Sequence, residues 1–118
     1  MLNYSIFKNE PDIRSFSTGQ IIFNEGQASD GLMYAVVEGE VEITHHGRSL
    51  EVIPAGGVFG EMALLDQQPR SGSAVAKTDC RVAAIAERRF TFLIGQHPYF
   101  ALDLMRLLAK RVRANLAD

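Results

Sequence analysis

Gly60, Glu61, Arg70 and Ser71 are the residues of this chain whose types and spacing could do chemistry. They lie in the run Phe59-Gly60-Glu61-Met62-Ala63-Leu64-Leu65, then Asp66-Gln67-Gln68, then Pro69-Arg70-Ser71. Glu61 to Leu65 are good helix formers, and Asp66 through Pro69 ends that helix after one or two turns. A glycine that opens so short a helix leaves N–H groups unpaired at its N-terminus, and those groups, with the helix dipole, favour an anion. Gly60 removes side-chain bulk, so a ligand can approach the backbone closely. Arg70 returns after a tight loop and adds a guanidinium fork. Facing a phosphate, that fork makes short charge-assisted bonds, each contributing on the order of 1.5–3 kcal/mol. Glu61 would repel a bare anion, but it suits a neutral hydroxyl beside one. A phosphate with an adjacent hydroxyl describes the sugar-phosphate of a nucleotide. The competing reading is a structural ion pair between Glu61 and Arg70, with Ser71 a plain turn hydroxyl.

Short strands must position this stretch. Residues 14–53 read as strands and turns. Ile21-Ile22-Phe23 is a brief apolar run before Asn24-Glu25-Gly26. Leu32–Val37 is a buried-strand candidate that stops at Glu38-Gly39. Val41 and Ile43 alternate with Glu40, Glu42 and Thr44, the pattern of a half-exposed strand. His46-Gly47 is a turn before the strand 49–53, and Pro54-Ala55-Gly56-Gly57 breaks that strand. Strands resume at 73–76 and 81–86. Glycines or glycine pairs at 19, 26, 31, 39, 47 and 56–57 punctuate an antiparallel sandwich, roll or barrel. Arg88–Ile94 is a short helix candidate ended by Gly95 and Pro98. From Tyr99 onward Phe100, Leu104, Leu108, Val112 and Leu116 recur every four residues, with Leu107 beside them, as one apolar stripe on a terminal helix.

Composition narrows the classes. The 118 residues make one domain's worth of chain, 47% hydrophobic and 22% charged, with a net charge of −2. That balance gives no support to a domain holding nucleic acid by charge. Ten acids and three bases fall in residues 1–66, against nine bases and four acids in 67–118. The basic end, with Arg106, Lys110, Arg111 and Arg113, is read as a solvated helix face, with contact to an anionic partner as the sharper alternative. The single cysteine, Cys80, excludes an internal disulfide and a four-cysteine zinc site, and it reads as a small packed residue in a reducing compartment. The longest apolar run is far short of a membrane span. Met1-Leu2-Asn3-Tyr4-Ser5 lacks the pattern of a secretory signal. His45-His46 reads as an exposed turn without a third metal ligand nearby, His97 as a helix-boundary residue, and Phe90, Phe92 and Phe100 as core. No catalytic set emerges, so a non-enzyme is expected.

The run from Phe59 through Ser71 resembles the phosphate-binding cassette of cyclic nucleotide-binding domains, as in catabolite activator proteins, kinase A regulatory subunits and cyclic nucleotide-gated channels. Thr18-Gly19-Gln20-Ile21-Ile22-Phe23-Asn24-Glu25-Gly26 resembles the first strands of that family. Tyr34 through Val41 resembles its buried strand meeting a glycine turn. The resemblance covers about residues 10–113. It implies an α+β, mainly β fold: an antiparallel, jelly-roll-like β-roll over about 12–86, a short cassette helix, and C-terminal helices over about 87–116, all in a single domain, 1–118. It implies that Glu61 takes the ribose 2′-hydroxyl and Arg70 the cyclic phosphate. Phe59, Gly60, Met62 and Ala63 then complete the cradle, and Ser71 bonds phosphate or base. Leu108, Arg111 and Val112, chosen by rough position, are the candidate lid, although Arg111 read alone is a solvated helix residue. Gly72 departs from the common family pattern, which has Ala there; the glycine loosens the backbone beside the site, and is expected either to lower affinity or simply to allow a closer approach.

The function expected from the resemblance is a cytoplasmic regulatory module for cyclic AMP, favoured over cyclic GMP, with no cofactor and no metal. Ligand binding is expected to move the C-terminal helices and to signal through a protein effector or through self-association of the terminal helix as a homodimer. No direct DNA binding is expected, because no helix-turn-helix follows that helix. The alternatives are a ligand-independent scaffold that uses the apolar stripe, or a fragment of a larger channel or regulator.

Overall fold

The computed structural model describes residues 5–116, with side chains through 114. The β-body has eight strands: β1 (Ile13–Phe16), β2 (Ile21–Phe23), β3 (Leu32–Glu38), β4 (Val41–His45), β5 (Arg48–Ile53), β6 (Val58–Phe59), β7 (Ser73–Ala76) and β8 (Cys80–Ala86). They form two antiparallel four-stranded sheets, in the orders β1-β8-β3-β6 and β2-β7-β4-β5. A single 3-10 turn, Glu61–Leu64, follows β6. Two helices close the chain, α1 (Glu87–Gln96) and α2 (Pro98–Leu116). This is the β-roll with terminal helices that the sequence pattern predicts. Among the described residues no helix is long and apolar enough to cross a membrane.

Burial explains why β3 reads as an unbroken apolar run. Successive side chains on a strand point to opposite faces. Tyr34 and Val36 enter the core between the sheets, with Phe23, Val41, Ile53 and Phe59. Met33 and Ala35 enter a second core under the helices, with Phe7, Leu93, Phe100 and Leu104. Strand β8 does the same through Val82 and Ala84 on one face and Ala83 and Ile85 on the other. Covered on both sides, these two strands have no solvent face to mark with polar residues. Strand β4 has one covered face, and its sequence alternates.

The structure corrects several local expectations. The two-residue strand β6 is too short to carry a periodic signal. Helix α1 passes through Gly95 and stops at His97, whose conformation, before Pro98, is not helical. Helix α2 then starts on Pro98, where a proline loses no hydrogen bond. The apolar stripe of α2 is not uniformly buried. Phe100 and Leu104 are core, whereas Val112 is 54% exposed, and the Leu116 side chain lies outside the described residues. Phe92 is also exposed, with the Arg89 guanidinium 4.8 Å over its ring, so it is not core. Cys80 is buried as expected, and burial pushes its thiol up from the ordinary range.

Candidate functional site

A cavity of about 580 Å³ opens between the end of β6, the 3-10 turn, the loop before β7, strand β5 and helix α2. Phe59, Gly60, Glu61, Met62, Ala63, Arg70, Ser71, Gly72, Leu108, Arg111 and Val112 all line it. Thus every candidate binding and lid residue named from the sequence lines one cavity. The spacing that put Glu61 and Arg70 near each other is carried out by the turn, which reverses the chain between β6 and β7.

Each charged residue there has a specific partner. The Arg70 side chain is 6% exposed. Its Nη2 donates to Asp30 Oδ1 at 2.8 Å and to the Leu32 carbonyl at 2.8 Å, and its Nη1 donates to the Gly60 carbonyl at 3.2 Å. The guanidinium lies 4.2 Å over the Phe23 ring. Three of its five N–H donors are so engaged. The backbone of Arg70 is fixed as firmly: its N–H donates to Gln27 O, and its carbonyl accepts from the Gly26 N–H.

Gly60 makes this placement sterically allowable. Its φ of +70° is left-handed, and a Cβ there would sit 3.0 Å from Arg70 Nη1. The left-handed turn aims the Gly60 carbonyl at Arg70 while Gly60 leads into the 3-10 turn.

Glu61 is 7% exposed and accepts a 2.7 Å bond from Arg111 Nη1. Arg111 also grips Glu51 through Nε and Nη2, at 3.0 and 3.2 Å, and donates to the Val58 carbonyl at 2.9 Å. Burial opposes the charge on Arg111, but the Glu61 and Glu51 carboxylates outweigh it and raise its pKa. Glu61 and Arg70 therefore do not form the structural pair that sequence alone left open, because each is held by a different partner. Arg111 is likewise not a solvated helix residue. It ties α2 to the cavity wall.

Gly72 allows a close approach of backbone to backbone. A Cβ there would stand 2.6 Å from the Thr44 carbonyl, because β7 begins at Ser73 paired directly to Thr44. His45 Nδ1 lies 2.7 Å from the Ser71 carbonyl, and the Glu25 N–H donates to Ser73 Oγ, so β4 and the turn after β2 brace the far end of the cassette. His45 and His46 do have a third neighbour of ligand type, Glu25, contrary to the sequence expectation. Sequence reasoning also missed Asp30, Phe23 and Glu51. No local signal marks them, since they lie 40 to 60 residues along the chain from the arginines they meet.

A family model described as the cyclic nucleotide-binding domain matches residues 13–97. The cyclic AMP receptor protein of Thermus thermophilus is 39% identical over 105 residues, covering 85% of this chain and 48% of that protein. The chain thus spans about half the length of the curated relatives it matches. The crystal structure of Thermus thermophilus catabolite activator protein superposes with a TM-score of 0.76 at 38% identity, covering 90% of this chain and 52% of that one. The EAL enzyme Bd1971 has been solved in cAMP-bound and cGMP-bound forms. Both are 34% identical, with TM-scores of 0.62 and 0.64, and each covers 90% of this chain and 30% or 29% of the other.

Proposed function

This chain belongs to the cyclic nucleotide-binding domain family, and on that premise we propose that its cavity binds cyclic AMP ahead of cyclic GMP and couples occupancy to helix α2. It is a regulatory module that binds its ligand without turning it over. The relatives that support this include a cyclic AMP receptor protein and a cAMP-dependent protein kinase regulatory subunit. The preference for cyclic AMP leans on the Thermus relative's name, since Ser71 suits either base.

The observation that carries this reading is the arrangement of three ionised side chains around one cavity. Arg70, which lines the cavity, meets the cyclic phosphate with its guanidinium. The Gly60 backbone and the first N–H groups of the 3-10 turn form the rest of the cradle. Glu61 accepts a bond from the ribose 2′-hydroxyl. Its negative charge would be unwelcome beside a phosphate were it not already paired with Arg111. Leu108 and Val112 of α2 cover the base.

Because Arg111 bridges Glu61, Glu51 and α2, a ligand hydroxyl arriving at Glu61 changes the balance of contacts that positions the helix. The helix shifts only by as much as the ligand's affinity differs between its two positions. The signal then passes to a protein effector, to a second copy through α2, or to further segments of a longer chain. The buried single cysteine agrees with a reducing, cytoplasmic setting.

Calorimetry with cyclic AMP and cyclic GMP tests the reading. Micromolar binding, near −8 kcal/mol, is expected for the wild type. Arg70→Ala should weaken it about 100-fold, the loss of one to two charge-assisted bonds. Arg70→Lys, which keeps the charge and loses the fork, should fall between them. Failure of well-folded wild type to bind either nucleotide would leave a scaffold, and tighter binding of cyclic GMP would overturn the base preference alone.

A further inference from the structure

We propose that Glu25, His45 and His46 form a binding site for a borderline divalent cation of the zinc, nickel or cobalt class, on the outer side of the cassette. Two elements distant in sequence create it. The turn after β2 supplies Glu25, and the β4–β5 connection supplies the two histidines. His46 and Gly47 both have positive φ, 51° and 78°, the geometry of a two-residue hairpin turn. That turn holds the two imidazoles with centroids 4.1 Å apart.

The carboxylate is oriented toward them. Glu25 Oε1 accepts the His46 backbone N–H at 2.9 Å. Glu25 Oε2 is left 3.2 Å from His46 Nε2 and 3.6 Å from His45 Nδ1, and one donor atom from each residue lies within 4.8 Å of the others. Four donors at the usual ~2.0–2.1 Å from zinc are about 3.3 Å apart, so two of the three edges already fit. Two imidazole nitrogens and one carboxylate oxygen suit a borderline cation. Magnesium and calcium prefer all-oxygen shells. Three protein ligands leave a coordination position for water or another donor.

One existing contact must change. His45 Nδ1 is 2.7 Å from the Ser71 carbonyl, and a ring nitrogen that coordinates a metal cannot also donate to that oxygen. Ligation therefore exchanges one hydrogen bond for a metal bond. The site does not depend on the nucleotide reading, because its residues are outside the cavity lining and the probe is the metal alone.

Titration of the untagged full chain with zinc chloride by calorimetry is the test, with magnesium chloride in parallel. One zinc ion per chain with micromolar affinity is expected, and no magnesium binding. Glu25→Gln keeps an acceptor for the His46 N–H, and His46→Asn tolerates the left-handed backbone. Each should weaken zinc at least tenfold while the thermal melt stays close to wild type. His97→Asn should leave zinc affinity unchanged. Zinc should also move the ring NMR signals of His45 and His46 but not those of His97. Absence of zinc binding by folded wild type, magnesium binding as tight as zinc, or full zinc affinity in Glu25→Gln and His46→Asn would each overturn the site.

Discussion

Two buried glutamates in this molecule are held by arginines from the C-terminal helices, and they do different work. Glu10, 2% exposed in its side chain, takes Arg89 of α1 in a two-pronged pair at 2.8 and 2.7 Å. Glu61, 8% exposed in its side chain, takes Arg111 of α2 through one bond at 2.7 Å, and Arg111 also donates to Glu51 and the Val58 carbonyl. The first pair is closed: both carboxylate oxygens meet one guanidinium. The second is shared, and it lines a cavity. The same ion-pair chemistry makes a staple where both carboxylate oxygens meet one guanidinium, and, on the proposed function, a ligand-responsive link where the pair lines a cavity.

The most severe break in this contrast is Arg111→Met. It takes the Arg111 guanidinium away from Glu61 and leaves a carboxylate buried beside the proposed phosphate site. Loss of one member of such a pair should cost about 3 kcal/mol of stability. Cyclic AMP affinity should fall about tenfold, because the unbalanced Glu61 charge now opposes the phosphate. Denaturant unfolding and calorimetry on the same preparation measure both. Affinity equal to wild type would mean that Arg111 only fastens the helix, as Arg89 does.

Gly72→Ala comes next in size. It installs the residue that the family pattern has, yet here the new Cβ meets the Thr44 carbonyl at 2.6 Å. That oxygen belongs to the backbone of a paired strand, so relief requires moving β4 or β7. The expected loss is about 1–3 kcal/mol, the usual range for overpacking. A thermal melt indistinguishable from wild type would show that the strand register yields freely beside the cassette.

Particular residues show what the sequence made legible. The cassette could be read because its residues are close in the chain and their chemistry is local: a glycine, a short helix, a carboxylate and a guanidinium within twelve positions of one another. Strands β3 and β8 could be read because burial on both faces writes a continuous apolar run. Arg111 could not. Its helix was evident from periodicity, but which of its polar residues turns inward depends on how α2 crosses the β-body, and its partners lie 50 and 60 residues away. Asp30 holding Arg70, Glu25 meeting the histidines, and Thr44 pressing on Gly72 are likewise products of strand register. A structural pair between Glu61 and Arg70 was a reasonable alternative from spacing alone, and only the third dimension replaced it with two separate pairs.

The smallest expected effect separates the two glutamates most cleanly. Glu10→Gln keeps the shape of the staple but supplies one acceptor where the carboxylate had two. One prong of Arg89 then faces an amide N–H. The melting temperature should fall by on the order of 5 °C. The staple joins the segment before β1 to α1 and touches neither the cavity nor α2's Arg111, so the upward shift in melting temperature caused by saturating cyclic AMP should match that of wild type. Such a shift reports ligand concentration relative to affinity, scaled by the entropy of unfolding, as long as only the folded state binds. In Arg111→Met the same shift should shrink, because affinity itself has changed. If Glu10→Gln also shrinks it, then α1 shares in the coupling. The division between a saturated staple and a responsive link would then fall, and both helices would have to be treated as one moving body.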